Sequence, residues 1–152
     1  MYLATVVDAF TRRIMGWSMG TKHNADLVMA ALSDALKKHG SPEIFHSDQG
    51  SEYRSEDFQS LLASHGIRAS MSAKGSPWQN GRQESFYSQF KLELGHPDSF
   101  ATDGELIAGI AKQIHYYDYR RIHTALKCPP AVFAERWGMS SSTQFKREIQ
   151  GV

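Results

Sequence analysis

Apolar positions along this chain change their period several times, and each change marks an element. Positions 2–8 (YLATVVD) and 14–19 (IMGWSM) are apolar and rich in β-branched and aromatic residues, with the turn-like AFTRR between them. Together they predict a β-hairpin. Beyond it, Leu27, Ala31, Leu32, Ala35 and Leu36 recur on one helical face, and the run closes with Lys37, Lys38 and Gly40, a helix stop. PEIFHS follows a Ser-Pro break and predicts a short buried strand. SEDFQSLLASHG predicts a helix with acids in its first turn and Gly66 past its end, and IRASMS predicts another strand. AKGSPWQNG is a loop by its Gly, Pro and Asn-Gly content.

The next stretch, RQESFYSQFKLEL, predicts a helix with Phe86, Tyr87, Phe90 and Leu94 on one side and Glu84, Ser88 and Lys91 on the opposite side. Thr102 and Glu105 form a capping box that opens a helix running to about Tyr119. Pro130 suits the first turn of a final short helix, PAVFAERW. Only the tail, SSSTQFKREIQGV, reads as loosely structured. The order hairpin, helix, strand, helix, strand, helix predicts an α/β chain with a mixed sheet covered by helices. Residues 1–137 form the core with its C-terminal helices, and 138–152 a polar, basic tail.

Composition adds exclusions. At 152 residues the chain fits one domain, with 41% hydrophobic and 22% charged residues, as in soluble globular proteins. No apolar run approaches the roughly 20 residues that span a bilayer. Arg12 and Arg13 follow the first apolar stretch rather than precede it, so no signal peptide is expected and the location expected is cytoplasmic. A single cysteine, Cys128, excludes an internal disulfide, and His115, His123 and Cys128 lack a zinc spacing. The net charge of +1 hides an asymmetry. Lys112, Arg120, Arg121, Lys127, Arg136, Lys146 and Arg147 face only Asp118, Glu135 and Glu148 in the last part of the chain. A basic end on an acidic body fits nucleic-acid contact, and equally a solvated basic surface.

The chemistry centres on FHSDQGSEY. Asp48 ends a strand and Glu84 lies on a helix reached through the Gly/Pro loop, with 35 residues between them. Such carboxylates are turn-formers, surface acids or ligands for hard cations, which favour oxygen donors. Gly50 would let the backbone turn away and leave room for substrate.

The stretches YLATVVDAFTRRIMGWSM, HSDQGSEY, GSPWQNGRQESFYSQFKLEL and YYDYRRIHTALKCPPAVF, in this order, resemble the integrase core of bacterial insertion-sequence transposases, relatives of retroviral integrases. The resemblance covers roughly positions 2 to 137. It implies a ribonuclease H-like mixed sheet flanked by helices. It also implies that Asp48 and Glu84 are the second and third acids of a DDE triad, holding Mg²⁺ or Mn²⁺, two ions in the complete enzyme. The implied activity is that of a polynucleotidyl transferase, cutting and joining DNA at transposon ends and target. DNA and further copies of the chain are the implied partners, with no membrane and no small-molecule cofactor.

The first acid of that triad belongs to a strand upstream of YLATVVD, and no such strand precedes Tyr2. The sheet is therefore expected to show a gap or edge beside the Phe45–Ser47 strand, or to recruit a strand from another chain. Asp8 matches a recurring Asp before the turn, and a turn-capping role is expected for it. Two alternatives remain: a ribonuclease H-like metal nuclease, and a truncated, inactive fragment that binds DNA or a partner. Lys91 matches a helix position that meets DNA, or is an ordinary surface lysine. Arg121 and His123 match a Y…R.H..L segment and either touch DNA or pin the C-terminal helix. Asp118 stands where Asn is usual. His46 either faces the site or is a hydrogen-bonded core histidine. Trp17, Trp78 and Trp137 are expected to pack, with base stacking an option for Trp78.

Overall fold

The computed structural model describes residues 1–73, 81–138 and 148–151, with backbone alone at 81–84 and 148–151. The hairpin forms as β1 (Tyr2–Asp8) and β2 (Ile14–Gly20), antiparallel, with a register shift between Val6 and Val7. Asp8 sets the turn: its Oδ1 accepts the N–H groups of Phe10 and Thr11 at 3.0 and 2.8 Å. The expected capping role is therefore observed.

Helix α1 (Ala25–His39) begins where Asn24 accepts from Leu27 N and ends at Gly40. It lies against β2, and a Cβ on Gly16 would collide with the backbone of Ala31 and Ala35, so only glycine permits this approach. Strand β3 (Ile44–Ser47) follows, then α2 (Ser51–Arg54), α3 (Glu56–Ser64) and β4 (Arg68–Met71). The sequence pattern missed α2, a single turn whose only buried residue is Tyr53. Helix α4 (Gly81–Leu94), α5 (Asp103–Tyr119) and α6 (Pro130–Arg136) complete the helices as expected, with Thr102 capping α5.

Side chains alternate across the sheet. Ala4 and Val6 pack with Leu32, Phe45, Phe58 and Leu62 on the α1–α3 side. Leu3 and Val7 pack with Phe90, Leu106, Ile110 and Ile114 on the α4–α5 side. Fully buried Leu32 and Phe58 each contribute about 1.5–3 kcal/mol by burial.

Among the described residues the sheet has five strands in the order β2-β1-β5-β3-β4, all from one copy of the chain. This overturns the expected gap. The last residues form β5 (Glu148–Gly151), antiparallel to β1 and parallel to β3. The tail is thus not loosely structured throughout: residues 148–151 form the central strand of the sheet, between β1 and β3. The unmet backbone groups of β1 and β3 supply the reason, since pairing them satisfies both edges.

Candidate functional site

Asp48 stands at the C-terminal end of β3 with its side chain exposed, where Ser47 is buried and anchors the strand end. Ser47 Oγ donates to the Asp48 carbonyl at 3.0 Å, and Asp48 Oδ1 accepts the Gly50 N–H at 2.7 Å. The neighbouring strand end is laced to it. His46 places its two ring nitrogens 3.0 Å from Ser70 Oγ and Ser72 Oγ, and Gln49 Nε2 donates to the Ser72 carbonyl at 3.1 Å. Of the two readings of His46, the hydrogen-bonded one holds.

Glu52 is the residue that sequence reasoning passed over. A Cβ on Gly50 would fall 2.6 Å from Glu52 Oε1 and 2.9 Å from Asp48 Oδ1, so both oxygens converge on the space that glycine leaves open. Glu52 is largely buried, with His23 Nε2 at 3.6 Å. The i, i+4 spacing from Asp48 was visible, but the turn that swings both carboxylates together was not. Burial, and then the neighbouring Tyr87 phenol and the negative charges of Asp48 and Glu52, push the Tyr53 phenol well above its ordinary range. It therefore stays protonated beside the two carboxylates.

Glu84 lies in the first turn of α4, and its side chain lies outside the described residues, as does Trp78. Among the described residues no group of three or more His, Cys, Asp or Glu side chains is gathered as a metal site. The oxygen donors of Asp48 and Glu52 around the Gly50 cradle nevertheless suit a hard cation such as Mg²⁺. Strand β5 brings no further acid here. Its one acidic residue, Glu148, pairs in register with Ile44, about 13 Å along the strands from Asp48.

Lys91 is exposed, yet it borders the same cavity as Tyr87, Phe90 and Leu94, so it flanks the apolar face of α4 rather than opposing it. Tyr87, one turn earlier, places its hydroxyl 3.1 Å from Thr5 Oγ1, and burial pushes its phenol up to about 12. Arg121 Nη1 meets Glu93 Oε1 at 2.6 Å, and Gln113 Nε2 donates to Glu93 Oε2 at 2.6 Å. These bonds fasten α4 to α5 and the segment after it. The His123 carbonyl accepts from Leu126 N and Lys127 N at 3.1 and 2.8 Å, and its backbone bridges to Cys128. Trp137 touches Phe10 and Phe133 but remains 61% exposed, so it is less packed than expected. No helix among the described residues is long and apolar enough to cross a membrane.

With this geometry in place, comparison with known proteins is informative. Two models of the integrase core domain match, at residues 1–77 and 65–130. The transposase for insertion sequence element IS904 of Lactococcus lactis is 42% identical over 129 residues, covering 83% of this chain and 51% of that protein. The chain spans about half the length of the transposases it matches. Among solved structures, the simian T-cell lymphotropic virus intasome in complex with a PP2A regulatory subunit superposes with a TM-score of 0.73 at 19% identity, covering 94% of this chain and 49% of that one. The HTLV-2 integrase catalytic core in complex with magnesium, in a trimeric form, gives 0.58 at 19% identity, covering 84% and 81%. The fold is that of the retroviral integrase cores, ribonuclease H-like. The chain belongs to the integrase core domain family.

Proposed function

We propose that this chain is the catalytic core of a transposase that cuts and joins DNA phosphodiesters with Mg²⁺ or Mn²⁺. The observation that carries the reading is Asp48, exposed at the end of a central strand and turned outward beside the Gly50 cradle, in a chain of this family. Asp48 and Glu84 are the metal ligands and catalytic acids. Asp48 Oδ1 accepts the Gly50 N–H, which holds the carboxylate at the cradle. The bound metal would supply Lewis acidity for the attacking and leaving oxygens of an in-line displacement. Lys91 offers its ammonium to a DNA phosphate. Arg121 and His123 position DNA beside it, with Arg121 doing so from its Glu93 pair. Transposon ends and target DNA are the substrates, and the working form is a homo-oligomer.

One observation favours a second reading. The strand beside β3 carries no acid near Asp48 in its described register, which supports a module that holds DNA or a partner without cutting it. A labelled transposon-end oligonucleotide, scored for nicking, joining and retention with Mg²⁺ or Mn²⁺, separates the two. Retention without nicking by the chain supports the second reading, and nicking that needs Asp48 and Glu84 supports the first.

A further inference from the structure

Helix α4 carries both Glu84 and Lys91, yet little apolar surface fixes it. Of its described side chains only Phe90 is buried, with Phe86 and Leu94 partly buried beside it. These three positions, four residues apart, make one ridge, and the Phe86 ring meets that of Tyr117 on α5 at 4.9 Å between centroids. A helix seated on a single ridge is free to roll about it, because apolar contacts are non-directional.

Glu93 stops the roll. Its carboxylate accepts three hydrogen bonds: Gln89 Nε2 and Arg121 Nη1 donate to Oε1 at 3.0 and 2.6 Å, and Gln113 Nε2 donates to Oε2 at 2.6 Å. Gln89 lies one turn back on α4, Gln113 on α5 and Arg121 just beyond α5, so each oxygen is tied to a neighbouring element. These bonds are directional, and a guanidinium on a carboxylate makes the stronger kind.

At about 100° per residue, position 93 falls about 60° to one side of Phe90, and positions 84 and 91 about 120° and 100° to the other. A roll that frees Glu93 therefore swings the opposite flank through the same angle. With side-chain ends about 6 Å from the helix axis, a roll of about 10° moves them by about 1 Å. A displacement of that size at a reacting centre is worth about a hundredfold in rate.

We propose that Glu93 is a positioning residue: clamped by Gln113 and Arg121, it fixes the roll of α4 and so presents positions 84 and 91 to metal and DNA. It acts through α4 rather than on the substrate. The inference rests on the reading of Glu84 as a catalytic acid given above, whereas the hold on α4 itself does not.

The test has two arms. In this chain, spin labels at Lys37→Cys on α1 and Leu92→Cys on α4, both exposed, report the seating of α4, with the buried Cys128 left unlabelled. Glu93→Ala should at least double the width of the label-to-label distance distribution. In a complete transposase carrying this segment, the same variant should lower kcat for joining about thirtyfold or more, with KM for end DNA within about twofold of the natural value. Gln113→Ala, on another helix, should give the same pattern in smaller measure, and the double variant should be no worse than Glu93→Ala alone. An unchanged distribution, losses confined to KM, or fully additive losses in the double variant overturn the proposal. A distribution that broadens while Glu84→Gln still joins DNA at the natural rate leaves the clamp standing and fails the catalytic reading instead.

Discussion

Asp118, near the end of α5, accepts the N–H of Ile14 at the start of β2 at 3.0 Å, joining two elements far apart in sequence. The carboxyl is 4% exposed, with Arg13 Nε no closer than 3.9 Å. Burial pushes its pKa up to about 7, against smaller downward effects of the Ile14 N–H and Arg13. A carboxyl whose folded pKa lies above its unfolded one stabilises the fold fully below about pH 4. That contribution is lost as pH rises through 7, by roughly 4 kcal/mol in all. Asp118→Asn keeps an acceptor for Ile14 and removes the titration. Urea midpoints at pH 5 and pH 8 should differ in the natural chain and converge in the variant, which should be the more stable at pH 8.

Gly50→Ala tests the cradle. The added methyl meets only the flexible ends of Asp48 and Glu52, so stability should change by less than about 1 kcal/mol as the carboxylates swing aside. Mn²⁺ affinity, followed by electron paramagnetic resonance, should fall about tenfold if these oxygens face a cation. An unchanged affinity would remove Glu52 and Gly50 from the site.

Glu84→Gln keeps size and hydrogen bonding but removes charge. In a complete transposase carrying this segment, cleavage and joining should be abolished while retention of end DNA survives, because that retention rests on distributed basic contacts. Lys91→Ala should do the reverse, weakening DNA retention and flattening its salt dependence with Mn²⁺ affinity intact. Joining at the natural rate by Glu84→Gln would exclude Glu84 as a catalytic acid.

Arg121→Ala separates fastening from DNA contact. Loss of this ion pair, with side chains 27% and 26% exposed, should cost about 1 kcal/mol of stability, and a double-mutant cycle with Glu93→Gln should return most of it as coupling. DNA retention that falls more than this destabilisation explains assigns Arg121 a contact with the nucleic acid as well.

Periodicity made most elements legible, because β1, α1, α4 and α5 each bury one regular face. The turn after Asp8 was readable from a single Asp before AFTRR. Helix α2 was not, since a four-residue turn around Tyr53 carries no period. Strand β5 was hidden for a different reason. EIQG has a polar composition, and only the unpaired edges of β1 and β3 give it a reason to be a strand. In the site, Asp48 stood out by its motif, whereas Glu52 depends on backbone geometry at Gly50 and Asp118 on a contact between the two ends of the core.

The placement of β5 also orders the folding reaction. Its register joins Asp8 to Ile149, nearly the full chain apart, and separates two halves that otherwise assemble from local contacts, the β1–β2–α1 unit and the β3–β4 pair. Closing so long a loop is slow. On a ribosome, β5 cannot take its place in the sheet until residues 148–151 emerge. Until β5 docks, the edges of β1 and β3 that it pairs are bare, and bare strand edges invite mispairing and aggregation.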